Sequence, residues 1–181
     1  AVTKGGYLYE STDNGDNWTE TKAGEKSFFT GSTFPLSLSS IKINSKYTFV
    51  SSREAGLVRR SHGSAQWQSI KPGQNGLSES QYISTLYIRD QNVYVGTRYG
   101  GLSISQDFGE SWVTHTSKNT IGFPENSLIT SIYSDGNYIF IGTYSGELYY
   151  SANGGATWGR PLSLFDVKGP IYDILVHFKD T

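Results

Sequence analysis

The segment Ser105-Gln-Asp107-Phe-Gly109-Glu-Ser-Trp112 carries the pattern that decides the fold of this chain. The same pattern, Ser-x-Asp-x-Gly-x-x-Trp, runs from Ser11 to Trp18, and with Asn153 in place of the aspartate it runs from Ser151 to Trp158. A fourth, eroded copy ends at Trp67. All four tryptophans therefore close a copy, at intervals of 49, 45 and 46 residues. A period of about 40 to 50 residues is typical of a propeller blade.

The residue types of the pattern are those of a hairpin turn. Asp and Asn side chains accept hydrogen bonds from nearby backbone N–H groups, serine does so more weakly, and glycine supplies a positive φ. The tryptophan begins the next strand as an apolar anchor, whose burial contributes about 2 to 3 kcal/mol. We therefore predict structural roles for Ser11, Asp13, Gly15, Trp18, Trp67, Ser105, Asp107, Gly109, Trp112, Ser151, Asn153, Gly155 and Trp158.

The repeated pattern resembles the Asp-box, or BNR, repeat of sialidases, the sortilin luminal domain, xyloglucanases and the photosystem II assembly factor family. The resemblance covers essentially the whole chain. It implies an all-β fold, a β-propeller built from four-stranded antiparallel blades.

Four short strands fit between successive boxes. The innermost is apolar with small polar residues between the apolar ones, and it recurs at 38–43, 83–88, 129–134 and 171–176. A β-branched and aromatic second strand and a short third strand follow, separated by Gly and Asn turns that are typical of consecutive hairpins. The sequence thus predicts a single propeller domain over residues 1–181, with repeats ending near Trp18, Trp67, Trp112 and Trp158.

The two ends of the chain together nearly make one further blade. Residues 2–6 read as the end of a second strand, and residues 171–178 supply an inner strand alone. We expect three complete blades plus one split between the termini, either closed as a four-bladed ring or forming part of a larger wheel. A homodimer that closes an eight-bladed ring is a third arrangement. Because the chain has no methionine and opens within a repeat at Ala1, we expect a processed or trimmed product.

Composition excludes several classes of function. The 15 basic and 16 acidic residues are nearly balanced, which argues against a nucleic-acid or anionic-membrane partner. No apolar run approaches the roughly 20 residues that span a bilayer. The chain has no cysteine, and its three histidines, His62, His115 and His177, are scattered, so we expect neither a metal site nor a cofactor. The repeat places His62 in the eroded box and His115 on a fourth strand, and we expect both at the surface.

Superposing the repeats brings four residues to one equivalent position, directly after the second strand: Lys4, Arg53, Arg98 and Tyr144. In a propeller the connections after the second strands open on one face around the axis. Guanidinium groups there suit carboxylate or phosphate recognition, and the tyrosine offers a stacking face for a sugar. We predict a ligand site at this axial mouth; solvated turn residues are the alternative interpretation.

An enzyme of the carbohydrate-active class is the alternative function. The sialidase families have an Arg-Ile-Pro signature, which the six arginines of this chain do not form. A xyloglucanase needs two acids across a cleft. Asp173 is the one acid that the repeat places near the axis, without an identifiable partner, and we interpret it as structural. We predict no catalytic residue.

The longest connection, residues 20–37, contains Phe28 and Phe34. Exposed aromatics there would form a partner-binding surface. The recurrence of Phe-Pro at Phe123 favours the other interpretation, in which these rings pack over the gap between blades.

The sequence therefore predicts a non-catalytic, extracellular or periplasmic propeller that binds a protein or a glycan through its axial loops, with acidic ligands among the candidates. A glycosidase of sialidase or xyloglucanase type, or a fragment of one, is the second hypothesis. A third is an assembly-factor domain, whose basic ring binds the acidic segment of a partner.

Overall fold

The computed structural model describes residues 1–23, 25, 28, 29, 36–161 and 168–176. These residues form antiparallel strands and one 3-10 turn at Gln74–Gly76. No helix among them is long and apolar enough to cross a membrane. The strands are β1 (Tyr7–Glu10), β2 (Thr19–Lys22), β3 (Leu38–Ile43), β4 (Tyr47–Ser52), β5 (Gly56–Ser61), β6 (Gln68–Ile70), β7 (Ile83–Arg89), β8 (Asn92–Thr97), β9 (Leu102–Ser105), β10 (Val113–His115), β11 (Ile129–Ser134), β12 (Ile139–Thr143) and β13 (Leu148–Ser151).

The strands pair in sequence order, as consecutive hairpins. The second sheet, β3 to β6, and the third sheet, β7 to β10, each have four strands. The fourth sheet has β11 to β13, extended by a single bridge between Tyr150 and Gly159. The first sheet pairs β1 with β2, and Val2 bridges to Leu8. The prediction of an all-β fold made of four-stranded antiparallel blades is confirmed.

Each inner strand carries a β-bulge at the same place. The register of β3, β7 and β11 shifts at their second residue, which is Ser39, Ser84 and Thr130 in turn. A bulge releases one residue from the ladder and turns its side chain to a new direction. The Ser84 hydroxyl uses this freedom to donate to the Ile129 carbonyl of the next inner strand, at 2.5 Å. The small polar residue at this bulge therefore connects the third sheet to the fourth, whereas the equivalent Ser39 bonds to Ser51 within the second sheet.

Residues 171–176 differ from the expected inner strand. The structure assigns them no strand, and the rest of the predicted segment, 177–178, lies outside the described residues. Ile171 still occupies the inner-strand position, because Thr130 Oγ1 donates to its carbonyl at 2.6 Å, as Ser84 does to Ile129. Within the described ranges no β-bridge joins residues 1–6 to residues 171–176, so the split blade stays a prediction.

The hydrophobic core consists of clusters that lie between adjacent sheets. Between the second and third sheets, Phe49 and Leu57 pack with Leu86 and Val93, all at most 2% exposed. The first and second sheets share a cluster around Leu8, and the third and fourth share one around Ile129 and Ile141. Because the apolar surface lies between sheets, no sheet has a complete core without its neighbours.

Each connection between sheets places an apolar side chain on the tryptophan of the following sheet. Phe28 lies 4.9 Å from the Trp67 ring and Phe123 lies 5.3 Å from the Trp158 ring, measured between centroids. Leu77 belongs to the same cluster as Trp112. Phe28 is fully buried, which confirms the packing interpretation and makes an exposed docking role for that ring wrong. Phe34 lies outside the described residues.

The same connections pass very close to the box backbone. The backbone N–H groups of Trp112 and Trp158 donate to the carbonyls of Asn75 and Ile121, both at 2.9 Å. The residue that follows the acceptor is glycine in each case. A Cβ on Gly76 would lie 2.2 Å from the Trp112 carbonyl oxygen, so only glycine fits this crossing.

Trp18 departs from the prediction that every box tryptophan is a buried anchor. Its side chain is 55% exposed, whereas Trp67, Trp112 and Trp158 are 6 to 7% exposed. The Trp18 indole Nε1 still donates to the Gly15 carbonyl at 3.0 Å. The turn thus fixes the orientation of the ring, and the residues packed over it determine its burial.

Candidate functional site

The three complete Asp-boxes share one hydrogen-bond network. In the first box the Ser11 hydroxyl accepts from the Gly15 N–H at 2.8 Å, and Asp13 Oδ1 accepts from the Asn17 N–H at 2.9 Å. Ser105 and Asp107 make the same bonds in the second box, as do Ser151 and Asn153 in the third. The recurring acids therefore hold turns.

The eroded box closes in a different way. Arg60 stands in the position of the box serine, and its guanidinium carbon lies 4.6 Å from the centroid of the Trp67 ring. Arg60 also forms a salt bridge with Glu10 of the first sheet. A cation that stacks on the tryptophan and pairs with a carboxylate thus stands where the other boxes have the serine, and it links two sheets.

Hydrogen bonds to the box carboxylates favour their charged form. The backbone N–H and side-chain amide of Asn17, followed by the Ser11 hydroxyl, lower the pKa of Asp13 to about 2. For Asp107, burial raises the pKa, but bonds from Ser111, Ser105 and Glu110 outweigh it and the pKa is lowered. Both carboxylates therefore bind a proton more weakly in the folded protein than in the unfolded chain.

This difference predicts a loss of stability in acid. A lowered folded pKa contributes stability above the unfolded value of about 3.9, and the contribution is lost as the pH falls toward the folded value. For Asp13 that window runs from the unfolded value down to about 2. We expect the combined change Asp13→Asn and Asp107→Asn to flatten the dependence of the urea midpoint on pH in this window, because Asn153 already makes the same turn.

The control is Asp16→Asn, which removes one carboxylate from the first box outside the recurring positions and is matched in charge to Asp13→Asn alone. Urea midpoints measured from pH 5 to pH 2 compare the variants. An equal flattening in the control, or none in the double variant, would contradict the assignment of acid sensitivity to the two turn carboxylates.

The four residues predicted at the axial mouth do share one backbone position. The N–H groups of Arg53, Arg98 and Tyr144 each donate to the residue before an inner strand, at 3.0, 3.1 and 2.9 Å. Lys4 follows Thr3, whose carbonyl accepts from the N–H of Leu38, the first residue of an inner strand. In the same way, Tyr144 follows Thr143, whose carbonyl accepts from the N–H of Ile171. We call the face formed by these connections the loop face.

On the loop face two of the four residues meet around a tyrosine that the sequence did not single out. The guanidinium carbons of Arg53 and Arg98 lie 5.6 and 5.7 Å from the centroid of the Tyr82 ring. Tyr82 is half-buried and directly precedes β7. Since Arg53 follows β4 and Arg98 follows β8, the tyrosine brings arginines of neighbouring sheets to one place. We call these three residues the arginine pair site.

A second tyrosine holds Arg98. The Arg98 guanidinium carbon lies 5.0 Å from the centroid of the Tyr99 ring, and Arg98 Nη2 donates to the Tyr99 hydroxyl at 3.3 Å. This hydrogen bond raises the pKa of Arg98. Tyr99 has a φ of 65° and is 62% exposed, so its backbone is strained at the tip of the loop.

The arginine pair site carries uncompensated positive charge. The salt bridges of the described residues involve Arg59, Arg60 and Arg160, and neither Arg53 nor Arg98 takes part in one. The neighbouring carboxylate of Glu54 accepts instead from the Ser37 N–H at 2.8 Å and from the Ser52 hydroxyl at 3.2 Å. Apart from the Arg98 Nη2 bond to the Tyr99 hydroxyl, the two guanidinium groups therefore have hydrogen-bond donors available for an incoming anion.

Tyr144 and Lys4 stand further from this pair. Tyr144 is 56% exposed and lines, together with Arg98, a cavity of about 510 Å³ between the third and fourth sheets. Lys4 is exposed, and no contact among the described residues joins it to the other three. The loop face thus presents two stacked arginines beside an open cavity with an aromatic wall.

The candidates for chemistry of other kinds lie apart. Asp173 is exposed, and its Oδ1 accepts from the N–H of Ile174 at 2.9 Å. His115, which we expected at the surface, is half-buried, and burial lowers its pKa. In the part of the chain that the structure describes, no three His, Asp or Glu side chains come together as metal ligands.

Tyr82 is the functional candidate that sequence reasoning missed. Its equivalents before the other inner strands are Ser37 and Leu128, so the repeat gave no signal. The signal that existed was local, because an aromatic residue stands where the other repeats have none.

The chain matches, over residues 1–181, the model described as Photosynthesis system II assembly factor YCF48. A search of curated protein sequences gave no significant match.

Solved structures share the fold. YCF48 from Cyanidioschyzon merolae is 19% identical with a TM-score of 0.63, over 89% of this chain and 54% of that one. The computationally designed Ika4 protein is 13% identical with a TM-score of 0.55, over 80% and 81%. The GH74 enzyme of Niastella koreensis is 20% identical with a TM-score of 0.52, over 88% and 23%. The chain spans about half the length of the YCF48 structure. These likenesses show the propeller fold alone.

Proposed function

Because this chain belongs to the photosystem II assembly factor YCF48 family, we propose that it is a non-catalytic propeller scaffold that binds a protein partner through its loop face. The family description supports a photosystem II component as the class of partner. The fold supplies a rigid support, and the residues on the loop face supply the recognition.

The observation that carries the proposal is the arginine pair site. A guanidinium group is planar, stays charged, and can bind a carboxylate through two parallel hydrogen bonds. Stacking on Tyr82 restricts both side chains before the partner arrives, so less conformational entropy is lost on binding. We therefore propose that the recognised segment of the partner is acidic.

The neighbouring cavity supports a protein ligand. Tyr99 and Tyr144 both line it and are more than half exposed. Tyrosine and arginine are the residues that most often dominate the binding energy of protein interfaces. Glu125 and Glu147 also line this cavity, so a segment whose acidic residues reach Arg53 and Arg98 would lay uncharged or basic residues against these rings.

The test is the binding of a fluorescein-labelled peptide rich in glutamate, followed by fluorescence anisotropy at low ionic strength. We expect Arg53→Ala and Arg98→Ala each to weaken binding by about tenfold or more, since each removes a central arginine. Lys4→Ala is expected to have a smaller effect, because Lys4 lacks a contact with the pair among the described residues. Arg53→Lys keeps the charge and should recover part of the affinity.

The matched control is Arg89→Ala. Arg89 ends β7 at the opposite face, where its Nη1 donates to the Ser134 carbonyl at 3.1 Å, and its removal changes the net charge equally. Equal weakening by Arg89→Ala would mean that the loss of any positive charge weakens binding, and it would contradict binding at the arginine pair site. The same peptide with glutamine in place of glutamate should bind at least tenfold more weakly. Turnover of a sialoside or of xyloglucan by the wild-type protein would support the glycosidase alternative instead.

A further inference from the structure

The junction between the second and third sheets, on the side of the Asp-boxes, is filled by an arginine of the chain itself. Arg59 is 3% exposed. Its Nε donates to Gln68 Oε1 at 2.9 Å, Nη1 to the Phe108 carbonyl at 2.6 Å, and Nη2 to Glu110 Oε1 at 2.6 Å. One side chain thus joins the strands of the second sheet to the box of the third.

The junction between the third and fourth sheets has the same strand pairing, but no side chain fills it as Arg59 fills the preceding junction. Ile104 pairs with Val113 across β9 and β10 as Arg59 pairs with Gln68 across β5 and β6. Counting from the box tryptophans shows that smaller side chains occupy every position of the network: Ile104 for Arg59, Val113 for Gln68, Gly154 for Phe108 and Ala156 for Glu110.

A cavity of about 420 Å³ lies at this second junction. Ile104, Val113 and Ala156 form apolar walls, and the carboxylate-bearing Asp107 and the half-buried His115 also line it. Cavities of about 300 to 1,000 Å³ with apolar walls and a few polar groups are the usual form of a binding site. We call it the junction pocket.

The electrostatics of the junction pocket favour a cation. Its lining includes Asp107 and neither a lysine nor an arginine. Burial lowers the pKa of His115, which keeps its imidazole neutral and removes a source of repulsion. Trp112 also lines the pocket, and its indole Nε1 is buried without an acceptor in the described part of the chain, which makes its N–H signal a local probe of the site.

We propose that the junction pocket receives an arginine side chain of a partner protein, in the manner in which the preceding junction receives Arg59. The aliphatic stem would lie on Ile104 and Val113, and the guanidinium would meet the carbonyl of Gly154 and the carboxylate of Asp107. Gly154 occupies the box position of Phe108, whose carbonyl accepts from Arg59. This contact lies away from the loop face and is independent of the proposed function.

The test is an NMR titration of the 15N-labelled protein with Nα-acetyl-arginine amide, following the indole N–H signal of Trp112. We expect a saturable shift at millimolar concentrations. Nα-acetyl-citrulline amide has nearly the same shape without the charge, and should bind at least tenfold more weakly. Asp107→Asn keeps the turn that Asn153 forms in the third box and should weaken arginine binding by about tenfold.

The decisive variant rebuilds the filled junction with the combined change Ile104→Arg and Ala156→Glu. We expect this variant to abolish the shift and to leave the binding of the acidic peptide at the loop face unchanged.

Three outcomes would overturn the proposal. They are the absence of a saturable shift in the wild type, an equal response to citrulline amide, and an unchanged shift in the folded Ile104→Arg, Ala156→Glu variant. If that variant does not fold, Asp107→Asn decides, because unchanged affinity there removes the carboxylate from the site.

Discussion

Trp158→Ala is expected to lower the free energy of unfolding by about 3 to 5 kcal/mol, whereas Trp18→Ala should lower it by less than about 1 kcal/mol. Trp158 is 7% exposed and packs edge-on against Phe123 at a centroid distance of 5.3 Å. Alanine there leaves a cavity that the surrounding strands cannot fill. Trp18 is 55% exposed and has little packing to lose.

Comparing the Trp158→Ala and Trp18→Ala variants separates the effect of burial from the effect of hydrogen bonding. The indole Nε1 of Trp158 donates to the Gly155 carbonyl, and that of Trp18 donates to the Gly15 carbonyl, both at 3.0 Å. Both changes therefore remove the same hydrogen bond from the same turn. Urea unfolding followed by far-UV circular dichroism measures the difference. Equal losses in the two variants would show that the turn, and not the covering of the ring, accounts for the contribution of the box tryptophan.

Gly122→Ala is the second change with a large expected effect, a loss of about 3 to 5 kcal/mol. A Cβ at this position would lie 1.9 Å from the carbonyl oxygen of Trp158. The connection would have to move away from the box, which breaks the bond from the Trp158 N–H to the Ile121 carbonyl and lifts Phe123 from the indole. The residue also has a φ of 75°, which adds strain for alanine.

Gly136→Ala is the matched control. Gly136 has a φ of 110°, and a Cβ there would meet no atom within 4 Å. This variant therefore measures the backbone strain alone, about 1 to 2 kcal/mol. Differential scanning calorimetry should give a much lower Tm for Gly122→Ala than for the control. Similar Tm values would mean that the crossing can relax, contrary to the close packing of the connection on the box.

The repeat predicted the features that depend on one sheet. The inner strands begin at Leu38, Ile83 and Ile129 as the pattern indicated, because the alternation of apolar and small residues is local to the strand. The turn-forming roles of Asp13 and Asp107 were also readable, since donor and acceptor lie within a few residues of each other.

The recurring Phe-Pro indicated one feature that depends on two sheets, the packing of Phe28, but two others were not readable. The exposure of Trp18 is one, because the cover of a box tryptophan comes from a preceding connection. The stacking of Arg53 and Arg98 on Tyr82 is another, since superposing repeats aligns positions but does not show which neighbouring side chain fills the space between them. The ligand role of Arg53, Arg98, Tyr144 and Lys4 stays a prediction.

The connection that covers a box tryptophan is also synthesised before that tryptophan. Phe123 precedes Trp158 in the chain, and Leu77 precedes Trp112, by 35 residues in both cases. At about 5 to 20 residues per second, a ribosome synthesises the covering residue roughly two to seven seconds before the tryptophan. A hairpin forms in about 1 to 10 μs, so the preceding sheet has time to fold first. Trp112 and Trp158 are therefore synthesised after the side chains that cover them, and each indole can pack as soon as its box forms.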